Sequence, residues 1–204
     1  MTRPVSDVAF SAAVKAEQLK RGSRAQYAHM EQGRGWPNMI TADLAAVLAE
    51  TRSIYLGTAN ADGQPYIQHR GGPAGFLKVL DDRTIGFADL AGNRQYITIG
   101  NLAENPRAFM FVMDYARQRR VKLWGRARVA ENDDTLLARL LPDQGNLIGE
   151  RSILFTVDAW DRNCRQQIPR MVAFEDVEAA LRVYRQRITD LETVLTRAGV
   201  ALPD

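Results

Sequence analysis

Apolar positions along this chain change period twice, from helical spacing to strand alternation and back to helical spacing. Residues 7–20 (DVAFSAAVKAEQLK) predict a helix with Ser6 as its N-cap and Gly22 as its stop. A polar, glycine-containing connection runs from there to Pro37. Thr41 then caps a second helix, TADLAAVLAE, in which Leu44, Val47 and Leu48 make one apolar stripe. Both helices are too short to hold a core of their own, so residues 1–50 read as a helical lead-in to the strands.

From residue 51 the spacing becomes that of strands. SIYLGTA and QPYIQHR are short and rich in β-branched and aromatic residues, and NADG between them is a strong hairpin signal. FLKVL and TIGFAD make a second pair around Asp81 and Asp82. A helical piece from Tyr96 to Glu104 ends at Asn105-Pro106, because the residue before proline is pushed out of helical conformation. AFMFVMD and RRVKLWGRARVA are two more strands, then comes a helix at Asp133–Leu141 stopped by Pro142, and then a last strand, SILFTVDAW. Six or so consecutive strands, mostly hairpin-linked, predict a mainly β fold: a closed antiparallel barrel over residues 51–172 with few helices inserted. Residues 173–204 return to helical spacing. Val177, Leu181, Tyr184, Ile188, Leu191, Leu195 and Ala198 form three heptads of an a/d seam. That seam must be buried, either on the chain's own barrel or against a second subunit.

Composition narrows the class. A 204-residue chain with 46% apolar and 25% charged residues is a soluble globular protein rather than a disordered one. It holds no apolar run near the ~20 residues that span a bilayer, and its first thirty residues lack the apolar core of a secretion signal. Cys164 is the one cysteine, which excludes an intrachain disulfide and a multi-cysteine zinc site; the cytoplasm is the expected location. The net charge is +3 and the pI about 9.2, in keeping with an anionic ligand. The local basic excess is Arg117, Arg119, Arg120, Lys122, Arg126 and Arg128. It reads as a solvated strand face, since nucleic-acid binding wants a larger patch with stacking aromatics and only Trp124 interleaves here. Dinucleotide, P-loop and hydrolase-elbow motifs are absent, and His29 and His69 are too few for an all-histidine metal cluster. Cys164 has neither a histidine nor a second cysteine near it in sequence and reads as a packing residue.

The chemistry concentrates between Gln68 and Arg128. Arg70, Lys78 and Arg94 each stand at the edge of a predicted strand beside glycines or turn residues. Two or more cations plus neutral donors are what a dianionic phosphate needs. Asn93, Thr98 and Asn101 supply donors, the last two on or beside a helix whose N-terminal N–H groups add to anion binding. Gly71, Gly72 and Gly75 allow close backbone approach to a flat ring. His69 precedes this bend and reads either as a rim hydrogen bond or as a site residue. Together these residues point to the phosphate and ring of FMN.

The order R…FLKV…FAD…NR…ENPRA…RRVKLWGRA, over residues 40–170, resembles the pyridoxamine 5'-phosphate oxidase-like family of FMN-binding split barrels. GNRQY, GNLAENPRAF, VKLWGRAR and the segment Trp160, Asp161, Asn163, Cys164, Gln166 resemble a bacterial subgroup of it. The resemblance implies an FMN-binding split barrel working as an oxidoreductase on a small molecule, or else a non-catalytic protein that binds flavin, deazaflavin or haem. It implies a homodimer with the flavin at the subunit interface. Residue by residue, Arg70 and Lys78 resemble the basic pair bounding the flavin segment, Phe87–Asp89 the strand along the ring, and Arg94 the phosphate-binding arginine. Arg120 stands where the oxidases carry a glutamine, and Asn163 and Gln166 stand in a loop that closes over the flavin. Gln68, His69 and Asp89 complete the expected cofactor set. The oxidases end in a substrate-gripping strand, whereas this chain ends in the heptad helix, so vitamin B6 oxidation itself is not expected.

Overall fold

The structure is a computed structural model that describes residues 3–143, 147–163 and 165–200, with the side chain of Asn163 outside the described set. The chain divides into two compact units, Met1–Asp114 with Arg119–Arg165, and Tyr115–Gln118 with Gln166–Asp204.

The first unit opens on a short 3₁₀ turn, Val5–Val8, and helices α1 (Ala12–Lys20) and α2 (Arg24–Gln32). The N-cap of α1 is Ser11, whose hydroxyl accepts from the Val14 N–H at 3.3 Å, and not the predicted Ser6. Ser6 is buried instead, with its hydroxyl donating to Glu31 at 3.1 Å. Helix α2 falls where the sequence predicts only a connection. Its segment RAQYAHMEQ has no apolar stripe; it is held by Arg24 bridging Glu31 and Gln18, and by Tyr27 edge-on to Phe10. The aromatic contacts continue from Phe10 to Trp36, which stacks on Trp124 at 4.8 Å. Lys122 lies over both indoles and pairs with Asp161 at 3.0 Å, so part of the basic strand is neutralised in place.

Helix α3 (Ala42–Glu50), capped by Thr41, sends the fully buried Leu44 and Leu48 into the main core. Strands β1 (Ser53–Ala59), β2 (Pro65–Gly71), β3 (Lys78–Val79), β4 (Thr84–Leu90), β5 (Arg107–Asp114), β6 (Arg119–Ala130) and β7 (Gly149–Asn163) come next, with α4 (Ile97–Glu104) before β5 and α5 (Asp134–Leu140) before β7. All pairings are antiparallel, in the order β2-β1-β5-β6-β7-β4-β3. The β1–β2 turn is closed by Asn60, whose side-chain oxygen accepts from the Gln64 N–H at 2.9 Å, with Gly63 at φ 85.

This sheet is rolled up. Strands β2 and β4 stand five ladder steps apart, roughly 24 Å in a flat sheet at ~4.8 Å per step. Yet Arg70 of β2 and Asp89 of β4 form a direct ion pair. Among the described residues no ladder joins β2 to β3, so the barrel is split rather than fully closed. Inside it lie Ile54, Leu56, Met110, Val112, Leu123, Phe87, Ile153 and Phe155. Strand β4 is buried on both faces, because α5 covers its outer side with Leu140 packed on Ala88 and Leu154. The roll needs a bend between β6 and β7, and the register slips at Trp124/Gly125. A Cβ on Gly125 would sit 2.1 Å from the Thr156 carbonyl oxygen, so the bulge admits only glycine.

The second unit contains α6 (Phe174–Arg197). Glu175 and Asp176 stand in its first turn and Arg197 in its last, in keeping with the helix dipole. Val177, Leu181, Tyr184, Ile188, Leu191 and Leu195 are all exposed, from 38% to 68%. Among the described residues, no helix is long and apolar enough to cross a membrane.

Candidate functional site

Strand alternation sorts β2 into two faces. Tyr66, Gln68 and Arg70 are half-buried on one, while Ile67, His69 and Gly71 are exposed on the other. The first face lines a cavity of about 180 Å³. Its other walls are Asp89 and Leu90 at the end of β4, the loop from Gly92 to Tyr96, the first turn of α4 and Glu150 of β7. Thr98 and the split edge of the barrel therefore meet at one place.

The electrostatics run through Arg70 and Arg151. Arg70 donates to Asp89 through Nη1. Arg151 stands 3.8 Å from the second Asp89 oxygen, donates to Glu150 at 2.7 Å, and lies 5.2 Å from the Tyr96 ring centroid. Burial pushes the Asp89 carboxyl above its ordinary 3.8, while the charges of Arg70 and Arg151 pull against that rise. Among the described residues Arg94 has neither an ion-pair nor a hydrogen-bond partner, and its exposed guanidinium remains available.

Three further features leave donors unspent. Helix α4 begins at Tyr96 in left-handed conformation (φ 54) with no side-chain cap, so its first N–H groups lack intrahelical partners. Ile97, Thr98 and Ile99 of that turn line the cavity. The hydroxyl of Thr98, a residue only 2% exposed, has no hydrogen-bond partner, and neither has the buried Nε of Arg70. Buried polar groups are almost always paired. Of the three unpaired buried side-chain atoms among the described residues, two belong to residues lining this one cavity and the third is Ser152 Oγ. The loop is also strained: Arg94 (φ 57) and Tyr96 (φ 54) both take conformations that cost a non-glycine residue ~1–3 kcal/mol. Asn93 holds the turn by accepting from the Gln95 N–H at 3.2 Å. Tyr66 donates to the side-chain oxygen of Gln68, which leaves the Gln68 amide N–H groups for a ligand. Guanidinium, amide and helix N–H donors gathered around a small cavity can bind an oxyanion.

The family model described as pyridoxamine 5'-phosphate oxidase matches residues 40–188, which take in every strand of the barrel. The chain belongs to that family. Among solved structures it is similar to HupZ of Group A Streptococcus, at 16% identity over 66% of this chain and 100% of that one, with a TM-score of 0.49. It is similar to an FMN-binding protein from Syntrophomonas wolfei subsp. wolfei at 13% identity, over 72% of this chain and 97% of that one, with a TM-score of 0.44. General stress protein 26 from Bacillus anthracis str. Sterne gives 15% identity over 57% of this chain and 88% of that one, with a TM-score of 0.44. No curated protein matches the chain.

Of the residues that the sequence reading assigns to the cofactor, Gln68, Arg70, Asp89, Asn93, Arg94 and Thr98 line the cavity. The others stand elsewhere. His69 is on the opposite face of β2, its ring edge-on to Tyr55 at 5.7 Å. Lys78 faces Gly86 in the β3–β4 ladder, outside the lining. Asn101 is buried and donates to Thr58 at 3.0 Å, which fastens α4 to β1. Arg120 is opposite Met113 on β6, also outside the lining. Gln166 belongs to the second unit, and the side chain of Asn163 and all of Cys164 lie outside the described residues. Gly71, Gly72 and Gly75 do not line the cavity; a Cβ on Gly72 would meet Phe76 at 2.7 Å, so that glycine serves packing. Tyr66, Tyr96 and Glu150 are additions to the lining, and Arg151 stands behind it, paired with Asp89 and Glu150. Tyr66 was detectable by parity, two and four residues before Gln68 and Arg70. Glu150 and Arg151 precede the apolar run of β7, and their charge hides them from a strand pattern although the strand includes them.

Proposed function

We propose that this chain is an FMN-dependent oxidoreductase acting on a small molecule, with the cavity between β2, β4 and α4 holding the phosphate end of the flavin. The observation that carries this reading is the uncapped start of α4 beside Arg94, which has no partner among the described residues, with two further residues of the same lining, Thr98 and Arg70, each holding a buried unpaired donor. The lining sets Arg70 and Arg94 against Asp89 and Glu150, and Arg151 behind it pairs with both carboxylates, which leaves the charge of Arg94 for a phosphate. The donor set fits the group in its chemistry: Arg94, Arg70, Thr98 and the first N–H groups of α4 for phosphate oxygens, with Asn93 and Gln68 as amide donors for the adjoining chain or ring. Bound FMN supplies hydride or single-electron transfer, and the protein supplies binding, orientation and electrostatics.

Size supports a second part of the proposal. Sites that bury a whole drug-sized ligand run to roughly 300–1,000 Å³, and this cavity has about 180 Å³. It suits a phosphate and the chain next to it, while the tricyclic ring extends beyond, where a second copy of the chain would cover it. A homodimer acting in the cytoplasm completes the reading. Haem finds less support, because among the described residues the cavity lining offers no imidazole or thiolate as an axial ligand.

The test is the visible absorption spectrum of the protein as purified, with the released chromophore identified by mass. A flavin spectrum with FMN released is the expected result; a colourless protein that takes up no added FMN would overturn the assignment. Turnover of a reduced nicotinamide or a dye by the FMN-loaded protein separates an oxidoreductase from a protein that only stores flavin.

A further inference from the structure

We propose that two copies of the chain pair through α6 as a parallel, in-register coiled coil. This does not rest on the flavin reading. The helix is 24 residues long, about 36 Å at 1.5 Å per residue. Its seam residues alternate in steps of four and three, with Val177, Tyr184 and Leu191 at d and Leu181, Ile188 and Leu195 at a. An exposed apolar stripe of this length marks an interaction surface.

The flanking charges select the partner and its direction. The e positions are Glu178, Arg185 and Glu192, and the g positions are Ala180, Arg187 and Val194. In a parallel pair each g residue meets the e residue five positions further along the other helix. That pairs Arg187 of each helix with Glu192 of the other, twice by symmetry, and sets Ala180 against Arg185 with no like-charge contact. In an antiparallel pair with the whole seam overlapped, e meets e and g meets g. Every charged flank then becomes repulsive: Glu178 against Glu192, Arg185 against Arg185, and Arg187 against Arg187. Sliding the antiparallel pair by one heptad removes the repulsion but takes Val177 out of the seam. Within the chain, and among the described residues, neither Arg187 nor Glu192 has an ion-pair partner. Both charges are therefore available to a second copy of the same helix.

The test uses the full chain. Cys164 is the one cysteine, so Cys164→Ser with Leu191→Cys leaves a single thiol at a d position. Under mild oxidation the in-register parallel pair brings the two engineered thiols face to face, and most of the protein should run as a disulfide-linked dimer. Because the readout is one residue pair, dimerisation through the barrel alone would not produce it. No cross-link overturns the proposal, whether because α6 docks within its own chain or because it has no partner. A mixed sample in which Ile188→Cys or Leu181→Cys captures Leu191→Cys in preference to the homotypic product overturns it in favour of an antiparallel pair. As a check on the charges, Arg187→Glu should reduce the cross-link several-fold, and adding Glu192→Arg should restore it. Equal yields in all three would remove the charges from the interface.

Discussion

Thr98→Val separates what the Thr98 hydroxyl does for the fold from what it does for a ligand, because the two effects have opposite signs. The hydroxyl is buried in the first turn of α4 and finds no partner among the described residues, while Thr98 itself lines the cavity. A buried polar group left unpaired costs ~1–3 kcal/mol. Valine has nearly the same shape and puts a methyl group in its place, so the ligand-free variant should gain about 1 kcal/mol. For a chain of this size that raises Tm by ~2–4 °C. With FMN present the balance reverses. Losing one hydrogen bond to a charged phosphate costs ~1.5–3 kcal/mol, which weakens Kd by about 10- to 150-fold. Thermal unfolding of the flavin-free protein and a fluorescence titration with FMN measure the two arms. A variant that is less stable without ligand, yet binds FMN as before, would show that the hydroxyl serves the fold, and the cavity would lose its main support.

Arg94→Ala should weaken FMN binding by ~10- to 150-fold, from the loss of a charge-assisted contact of ~1.5–3 kcal/mol. Its melting temperature should stay near that of the parent, since Arg94 pairs with nothing among the described residues; unchanged affinity would take it out of the site. Asp89→Asn addresses pH. Burial raises the Asp89 pKa above 3.8, so the folded chain holds that proton more tightly than the unfolded chain. Its contribution therefore favours folding below pH 3.8 and is lost as pH rises through the raised value. Asparagine keeps an acceptor for Arg70 without ionising, so urea titrations should show the variant improving relative to the parent across that window. A pH-independent difference contradicts the assignment. Gly125→Ala should cost at least ~1–3 kcal/mol in chemical denaturation, since its methyl group would lie 2.1 Å from the Thr156 oxygen; near-parent stability would mean that the bulge is dispensable.

The barrel was legible because its strands obey local rules. The NADG turn sets the β1–β2 register, Pro106 and Pro142 end their helices, and alternation on β1, β5 and β6 marks the inner face. Helix α2 was not legible, because side-chain pairing holds it and no apolar stripe announces it. The site divides along the same line. Asn93, Arg94 and Thr98 are close in sequence and act together, while Gln68 and Arg70 join them only because the sheet rolls. Arg70 and Asp89 are 19 residues apart in sequence but stand on strands five ladder steps apart, and the roll of the sheet brings them together. His69 and Lys78 carry suitable chemistry, but the parity of β2 and the shortness of β3 place them outside the cavity. Arg151 reaches Tyr96, Asp89 and Glu150 at once, and that role exists only in the folded barrel.

Phosphate recognition is the central claim, and one comparison tests it most directly: titration of flavin-free protein with FMN and, separately, with riboflavin, which has the same ring and lacks the phosphate. Arg94, Arg70, Thr98 and the α4 N-terminus all act on that group. Two or more charge-assisted contacts of ~1.5–3 kcal/mol each predict FMN tighter than riboflavin by at least about a hundredfold. Equal affinity for the two, or no binding of either, would contradict the account.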